Sequence, residues 1–280
     1  MKRNKIRLDV MPLLRELNPS VSLSIFESSL RVGEALKVFD EAMKRSIADV
    51  TTPPRGCTLG GALVSSAPTK QLGTTPSQPL TISVDRLKQQ PSPEYTLHEI
   101  LSPRGFTSAQ IEQIYTSLDT SPAGKIVTSH THELAFDRGS LLVQPRTNVA
   151  DTARSMRIPE TGTYVFSDSL KIKVAAEDCG DDYVPSRAAD CVCLDASDIK
   201  FPLTLRHIEQ GDRFAPFGMN GMKLVSDYLT DRKKNVFEKR AQLVVTDAQQ
   251  RIVWLVGERT DNRFRISKET SKALRLTLLQ

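Results

Sequence analysis

Apolar residues recur along the first fifty positions at helical spacing. Ile6, Val10 and Leu14 fall on one side, and Leu13 and Leu17 on another, with Pro12 placed to kink or interrupt the run and Asn18-Pro19 to end it. A long helix is predicted from Ser20 to Ala48, with Val21, Ile25, Val32, Leu36, Phe39, Met43 and Ile47 along one stripe. Such a face needs cover, either from the rest of the chain or from something outside it. Residues 51–80 break the pattern. Pro53-Pro54, Gly60-Gly61 and the Ser/Thr/Gln/Pro-rich run to Pro79 read as a loop or mobile linker, unusually long for the inside of a compact domain.

The pattern resumes with a short strand at Ile82–Val84 and a helix from Glu94 to Leu101. Thr107 and Gln110 form a capping-box signature ahead of Ile111, Ile114, Tyr115 and Leu118 on one helix face. A strand starts at Gly124-Lys125-Ile126-Val127, and His132–Asp137 with Ser140–Gln144 makes a hairpin about Arg138-Gly139. The hydrophilic stretch Thr147–Arg157 is the expected domain boundary. Beyond it the alternation is mostly that of strands. A hairpin is predicted at Thr163–Phe166 and Lys171–Val174, with further strands at Cys191–Leu194, Leu203–His207, Leu243–Val245, Ile252–Gly257, Arg263–Ile266 and Leu274–Leu278. Short helices are predicted after Lys223, with Leu224, Val225, Tyr228 and Leu229 on one side, and at Asn235–Arg240. The fold class is therefore α+β. A helical domain with a small β-hairpin, residues 1–150, precedes a strand-rich α+β domain, residues 158–280.

One segment stands out within the second domain: Gly211-Asp212-Arg213-Phe214-Ala215-Pro216-Phe217-Gly218-Met219-Asn220-Gly221. Gly211, Gly218 and Gly221 suit positive φ or close backbone approach, and Pro216 fixes its own φ, so this is a shaped loop. Phe214, Phe217 and Met219 are expected to hold it, and Phe214, Phe217, Phe264 and Trp254 are all read as core. Charge adds a ligand class. Residues 158–205 carry 4 Lys/Arg against 9 Asp/Glu, whereas residues 206–280 carry 15 against 9. The positive charge is thus gathered in the last quarter, where a basic surface attracts polyanions, nucleic acid first. Each cation there is available either to such a ligand or to Asp212, Asp227, Asp231 or Asp261.

Several chemistries find no support. Cys191-x-Cys193 lacks a second close pair, and Cys57, Cys179, Cys191 and Cys193 are read as reduced core thiols, with no metal site. Gly60-Gly61 is not followed by Lys-Ser/Thr, so it is no Walker loop. His98, His130 and His132 have no acid or nucleophile partner in sequence. No apolar run approaches the roughly 20 residues of a membrane span and no signal peptide is visible, so a cytoplasmic protein without membrane contact is expected.

Taken together, Gly211-Asp212-Arg213-Phe214, Pro216-Phe217-Gly218-Met219, Lys223, Ser226-Asp227, Asp231-Arg232-Lys233, Glu238-Lys239, Ile252-Val253-Trp254, Gly257, Asp261 and Arg263-Phe264 resemble the C-terminal domain of tRNA(Ile)-lysidine synthetases. Arg3–Arg7, Pro12-Leu13-Leu14 and Asn18-Pro19 look like the family's exit from its catalytic domain, and Gly124-Lys125 with its hairpin is similar to its substrate-recognition domain. The resemblance implies an enzyme that joins lysine to the wobble cytidine of tRNA(Ile) with a CAU anticodon, after ATP adenylates that cytidine. ATP, with magnesium, would belong to an N-terminal domain bearing a Ser-Gly-Gly-x-Asp-Ser loop, a motif that does not occur in these 280 residues. The sequence is therefore expected to begin just after that domain, as an artificial or natural truncation, with no catalytic residue and no cofactor of its own. Expected partners are tRNA(Ile), the catalytic domain and a second copy of the chain. By resemblance the tRNA-facing residues are Arg206, Arg213, Lys223, Arg232, Lys233, Lys234, Arg259, Arg263 and Arg265, with Arg3 and Arg7 from the N-terminal segment, and Gly211, Pro216, Gly218 and Gly221 shape the loop. The alternative is an interaction or dimerisation module, built on the long helix, with little RNA affinity of its own.

Overall fold

The computed structural model describes residues 2–51, 79–120, 123–146, 154–168, 170–179, 183–185, 190–219 and 221–279. They fall into two compact units. The first comprises Met1–Pro54 and Thr81–Leu118, and the second holds Asp119–Gln280. The expected boundary stretch Thr147–Arg157 lies partly outside the described residues. Cys57 and the Gly60-Gly61 pair lie wholly outside them.

In the first unit, α1 (Lys2–Lys5), a π turn (Ile6–Val10) and α2 (Met11–Leu17) lead into α3 (Val21–Thr51). Pro12 sits in the first turn of α2, where a missing N–H is tolerated, and the chain widens to π geometry immediately before it. Strand β1 (Leu80–Ser83) gives way at once to α4 (Val84–Lys88), which replaces the expected continuation of the strand. The switch is local chemistry: the Ser83 hydroxyl accepts from Arg86 N–H and caps the helix. Next come α5 (Pro93–Leu101) and α6 (Ser108–Thr116), the latter opened by the Thr107/Gln110 capping box.

Leu87, Leu97, Leu101, Ile111 and Ile114 are fully buried, but along α3 only Val50 is. The C-terminal end of α3 is tied down. Arg86 Nη1 donates to Asp49 C=O (2.8 Å), Gln90 Nε2 donates to Asp49 Oδ2 (2.8 Å), and the Phe39 and Tyr95 rings meet edge to face at 5.5 Å. Earlier in the helix, Leu23, Phe26, Leu30, Val32 and Leu36 are all exposed.

The second unit opens with an antiparallel meander of β2 (Ile126–Thr128), β3 (His132–Asp137) and β4 (Ser140–Pro145), turned at Arg138-Gly139. Its core is two sheets. One contains β6 (Gly162–Ser167), β7 (Leu170–Asp178), β8 (Cys191–Asp195) and β15 (Lys272–Leu279), in the order β6-β7-β15-β8. The other contains β5 (Ser155–Ile158), β9 (Leu203–His207), β12 (Leu243–Thr246), β13 (Ile252–Leu255) and β14 (Arg259–Thr260), in the order β14-β13-β12-β9-β5. Ile172, Val174, Leu274 and Leu276 of the first share a cluster with Leu203, Leu205, Val245 and Val253 of the second, so the sheets pack face to face.

The other face of the five-stranded sheet is covered too. Val244, Ile252 and Leu255 pack with Phe214 and with Val225, Tyr228 and Leu229 of α7 (Val225–Asp231). This two-sided burial explains why β13 reads as an unbroken apolar run, with all four residues buried. Helix α8 (Val236–Ala241) follows, opened by an Asn235/Glu238 capping box, and its Phe237 packs with Ala135 and Leu142 of the meander.

Strand β5 departs from expectation, because its solvent-side residues make Ser155–Ile158 look hydrophilic; it pairs with β9 at the sheet edge, and only Ile158 is buried. The strand expected at residues 263–266 does not form. Instead Asn262–Phe264 makes a 3-10 turn, capped by the Asp261 carboxylate on Arg263 N–H. Cys191 is buried and Cys179 and Cys193 are half-buried, all as free thiols. The shared core makes a direct prediction. Leu205→Ala should lower the stability of the second unit by about 2–5 kcal/mol, read from denaturant unfolding through the fluorescence of Trp254, the single tryptophan, which is itself buried.

Candidate nucleic-acid interface

The shaped loop is closed by a two-residue ladder. Strand β10 (Arg213–Phe214) pairs with β11 (Lys223–Leu224), and Val225 N–H donates to Asp212 C=O (2.9 Å), leading into α7. Gly211, Gly218 and Gly221 have φ of +91°, +83° and +98°, and nothing lies within 4 Å of a Cβ built on any of them. Left-handed backbone, not a close approach, is therefore what requires glycine here. Pro216 is buried and bridges to Asp261 across the loop.

Asp261 is the anchor of this arrangement. It is fully buried. Its Oδ2 accepts from Ala215 N–H (2.9 Å) and Arg263 Nη2 (2.8 Å), and its Oδ1 accepts from Arg263 N–H and Nε (both 2.9 Å). Ala215 C=O in turn accepts from Asn262 N–H (2.7 Å), and Phe217 N–H donates to Thr260 C=O (3.0 Å). The loop is thus stitched to the 260–263 segment along its length.

The predicted cations separate into two groups. Arg206 is largely buried and grips Asp212 with both Nη atoms, at 2.8 and 2.9 Å. That pairing outweighs burial and raises the guanidinium pKa. Arg263 is committed to Asp261, which raises its pKa likewise. Lys223 pairs with Asp231. Arg232 and Lys234 both reach Glu258, at 3.4 and 3.0 Å, and that carboxylate is largely buried. Arg259 lies beside the Tyr228 hydroxyl, whose pKa burial raises.

The second group is free. Arg213, Lys233 and Arg265 are exposed and have no side-chain partner among the described residues. Lys233 sits at φ +58° and its carbonyl accepts from Arg138 Nη1 (3.4 Å), which ties it to the meander turn. Arg240 of α8 adds a salt bridge to Glu133 of β3 (3.1 Å). Arg3 and Arg7 lie in the first unit, in α1 and the π turn, and are exposed.

Sequence reasoning did not find Glu258, a single carboxylate shared by two cations from another loop. It also placed Phe217 in the core. Phe214, Phe264 and Trp254 are buried, but Phe217 is 48% exposed. The sequence offered one hint, Gly218 directly after Phe217, which marks a turn tip.

The chain is similar to known proteins over almost its whole length. The model of the TilS substrate binding domain matches residues 77–146. The tRNA(Ile)-lysidine synthase of Bacteroides thetaiotaomicron is 34% identical over 272 residues, which cover 97% of this chain and 54% of that protein. By sequence the chain belongs to the tRNA(Ile)-lysidine synthase family. The Parabacteroides distasonis tRNA(Ile)-lysidine synthase is 31% identical, covering 99% of this chain and 56% of its own length. The chain thus spans about half the length of the curated synthases it matches. A solved TILS C-terminal domain covers 45% of this chain and 96% of its own, at 20% identity and a TM-score of 0.38. No helix among the described residues is long and apolar enough to cross a membrane. No group of three or more His, Cys, Asp or Glu among them could hold a metal ion.

The anchor can be tested. Asp261→Ala leaves the Ala215 N–H without its acceptor and should lower stability by about 1–3 kcal/mol. Asp261→Asn keeps one acceptor oxygen and should lose less. Denaturant unfolding of both variants decides it, and equal loss would mean that the charge alone matters.

Proposed function

We propose that this chain is the tRNA-holding part of a lysidine synthase. It binds tRNA(Ile) with a CAU anticodon and presents it to a catalytic domain that handles ATP and magnesium, and it works in the cytoplasm. The 280 residues contain no Ser-Gly-Gly-x-Asp-Ser loop to cradle ATP phosphates, so the proposal assigns ATP to that catalytic domain. The observation that carries the reading is the sorting of charge. Asp212, Asp231, Glu258 and Asp261 are each taken by one cation or two, while Arg213, Lys233 and Arg265 stay exposed on the same framework. Double-stranded RNA is read mostly through its backbone, 2′-hydroxyls and shape, which suits guanidinium and ammonium groups fixed on a rigid scaffold. The paired cations shape the loop and the free ones meet phosphate.

Binding should therefore be salt-sensitive. In a titration of labelled tRNA(Ile) at several salt concentrations, Arg213→Ala, Lys233→Ala and Arg265→Ala should each weaken binding and reduce the salt slope by roughly 1. Affinity that does not change with salt, or equals that for an uncharged control polymer, would sink the reading. Arg206→Ala should act differently, lowering stability because it strands the Asp212 carboxylate.

A second reading, association through α3, is favoured by one observation: Leu23, Phe26, Leu30, Val32 and Leu36 are exposed on that helix. Sedimentation velocity with and without tRNA separates the two. A monomer that becomes a one-to-one complex supports tRNA holding alone, and a dimer without tRNA that is lost in Leu30→Glu supports association.

A further inference from the structure

The eight residues between the two ladder strands expose three large apolar side chains. Phe217, Met219 and Met222 are 48, 46 and 49% exposed. The backbone below them is fixed. Met219 N–H donates to Pro216 C=O (2.9 Å), closing a turn with Gly218 left-handed at its third position. Phe217 N–H is held by Thr260 C=O and Gly218 N–H by the Asn262 side chain (3.3 Å). The ring of Phe217 is thus presented on a fixed support.

The surroundings define what such a tip can meet. Residues 213–222 contain no carboxylate, and Arg213 at the foot of the loop is exposed, with no side-chain partner among the described residues. A partner that combines a flat apolar face with negative charge beside it fits this surface, and a nucleobase flanked by its phosphates has both. Within an RNA duplex the base faces are stacked and hidden. Aromatic side chains reach them only where bases are unpaired. We propose that Phe217 is a stacking platform for an unpaired nucleobase of the bound RNA, with Met219 and Met222 adding apolar surface on the same loop. The proposal rests on the RNA-binding reading above and adds base contact to it.

The test uses the 280-residue chain and two RNA duplexes with single-stranded 3′ extensions of equal length. One extension carries its bases and the other is abasic throughout, so phosphate charge is matched. By fluorescence anisotropy, the wild-type chain should prefer the extension with bases by about tenfold, the scale of one stacked base. Phe217→Ala should bring that affinity down to the abasic level, and Phe217→Tyr should keep the preference. Thermal unfolding should confirm that both variants are folded. The proposal is overturned if the wild-type chain does not distinguish the two RNAs, or if Phe217→Ala still does. Salt-sensitive binding without base preference would overturn the platform alone. No binding to either RNA at low salt would overturn the RNA reading as well.

Discussion

The carboxylate of Asp261 is the constraint on which the candidate interface depends. A fully buried charge is tolerated only when it is paired and hydrogen-bonded, and Asp261 has four N–H groups on it. One comes from the loop and three from Arg263, so the same ion draws together two segments 46 residues apart. Arg263 is held to Asp261 through Nε and Nη2, so its guanidinium is fixed in orientation. The Arg206–Asp212 pair does the same at the loop's other root. A cation-rich segment is thereby divided into ions that fix geometry and ions that are exposed with no side-chain partner among the described residues.

Rigidity of this kind needs a platform. The five-stranded sheet is buried on both faces, against the second sheet on one side and α7 on the other, and the loop hangs from its helix-bearing face through Phe214. Three independent contacts link the same region to the meander: the Phe237 cluster, Arg240 with Glu133, and Arg138 with the Lys233 carbonyl. Lys233, a free cation in left-handed backbone, is therefore positioned from two sides. The match to the substrate binding domain ends at residue 146, just beyond the meander. Within the second unit, then, the meander and the 233–240 segment share packing, an ion pair and a hydrogen bond.

Much of this is legible in the sequence, and the exceptions have physical causes. Period-two alternation locates β6, β7, β8, β9 and β15, and the Thr107/Gln110 capping box locates α6. The three loop glycines mark the left-handed positions that shape the loop. Misreadings cluster where one side chain overrides the pattern. Ser83 starts α4 inside an apparent strand, and Asp261 caps a 3-10 turn in a segment of alternating Arg, Phe, Arg and Ile. Strand β5 is an edge strand, so half of its positions face solvent and its composition suggests a linker. Pairing between cations and carboxylates is the least legible feature, because Glu258 meets Arg232 and Lys234 only after the chain has folded.

The exposed apolar residues of α3 and those of the shaped loop are exposed for different reasons. On α3, Ile25, Val32, Leu36 and Phe39 lie at spacings of seven, four and three, and Leu23, Phe26 and Leu30 form a separate stripe at three and four. Stripes on two sides of one helix call for cover on two sides, whereas α5 and α6 bury one face each and need no more. Burying such a helix is a matter of area, and any well-shaped apolar neighbour serves. The tip of the 215–222 loop differs. Its side chains are few, and hydrogen bonds to Thr260, Asn262 and Asp261 prevent the backbone from folding them inward. Phe214 is buried and Phe217 is not, although only three residues separate them. What divides them is that Phe214 lies on a ladder strand over the core, whereas Phe217 occupies a turn held open by Gly218. Hydrophobicity predicts burial only when the backbone is free to deliver it, and here the backbone is fixed by a buried ion.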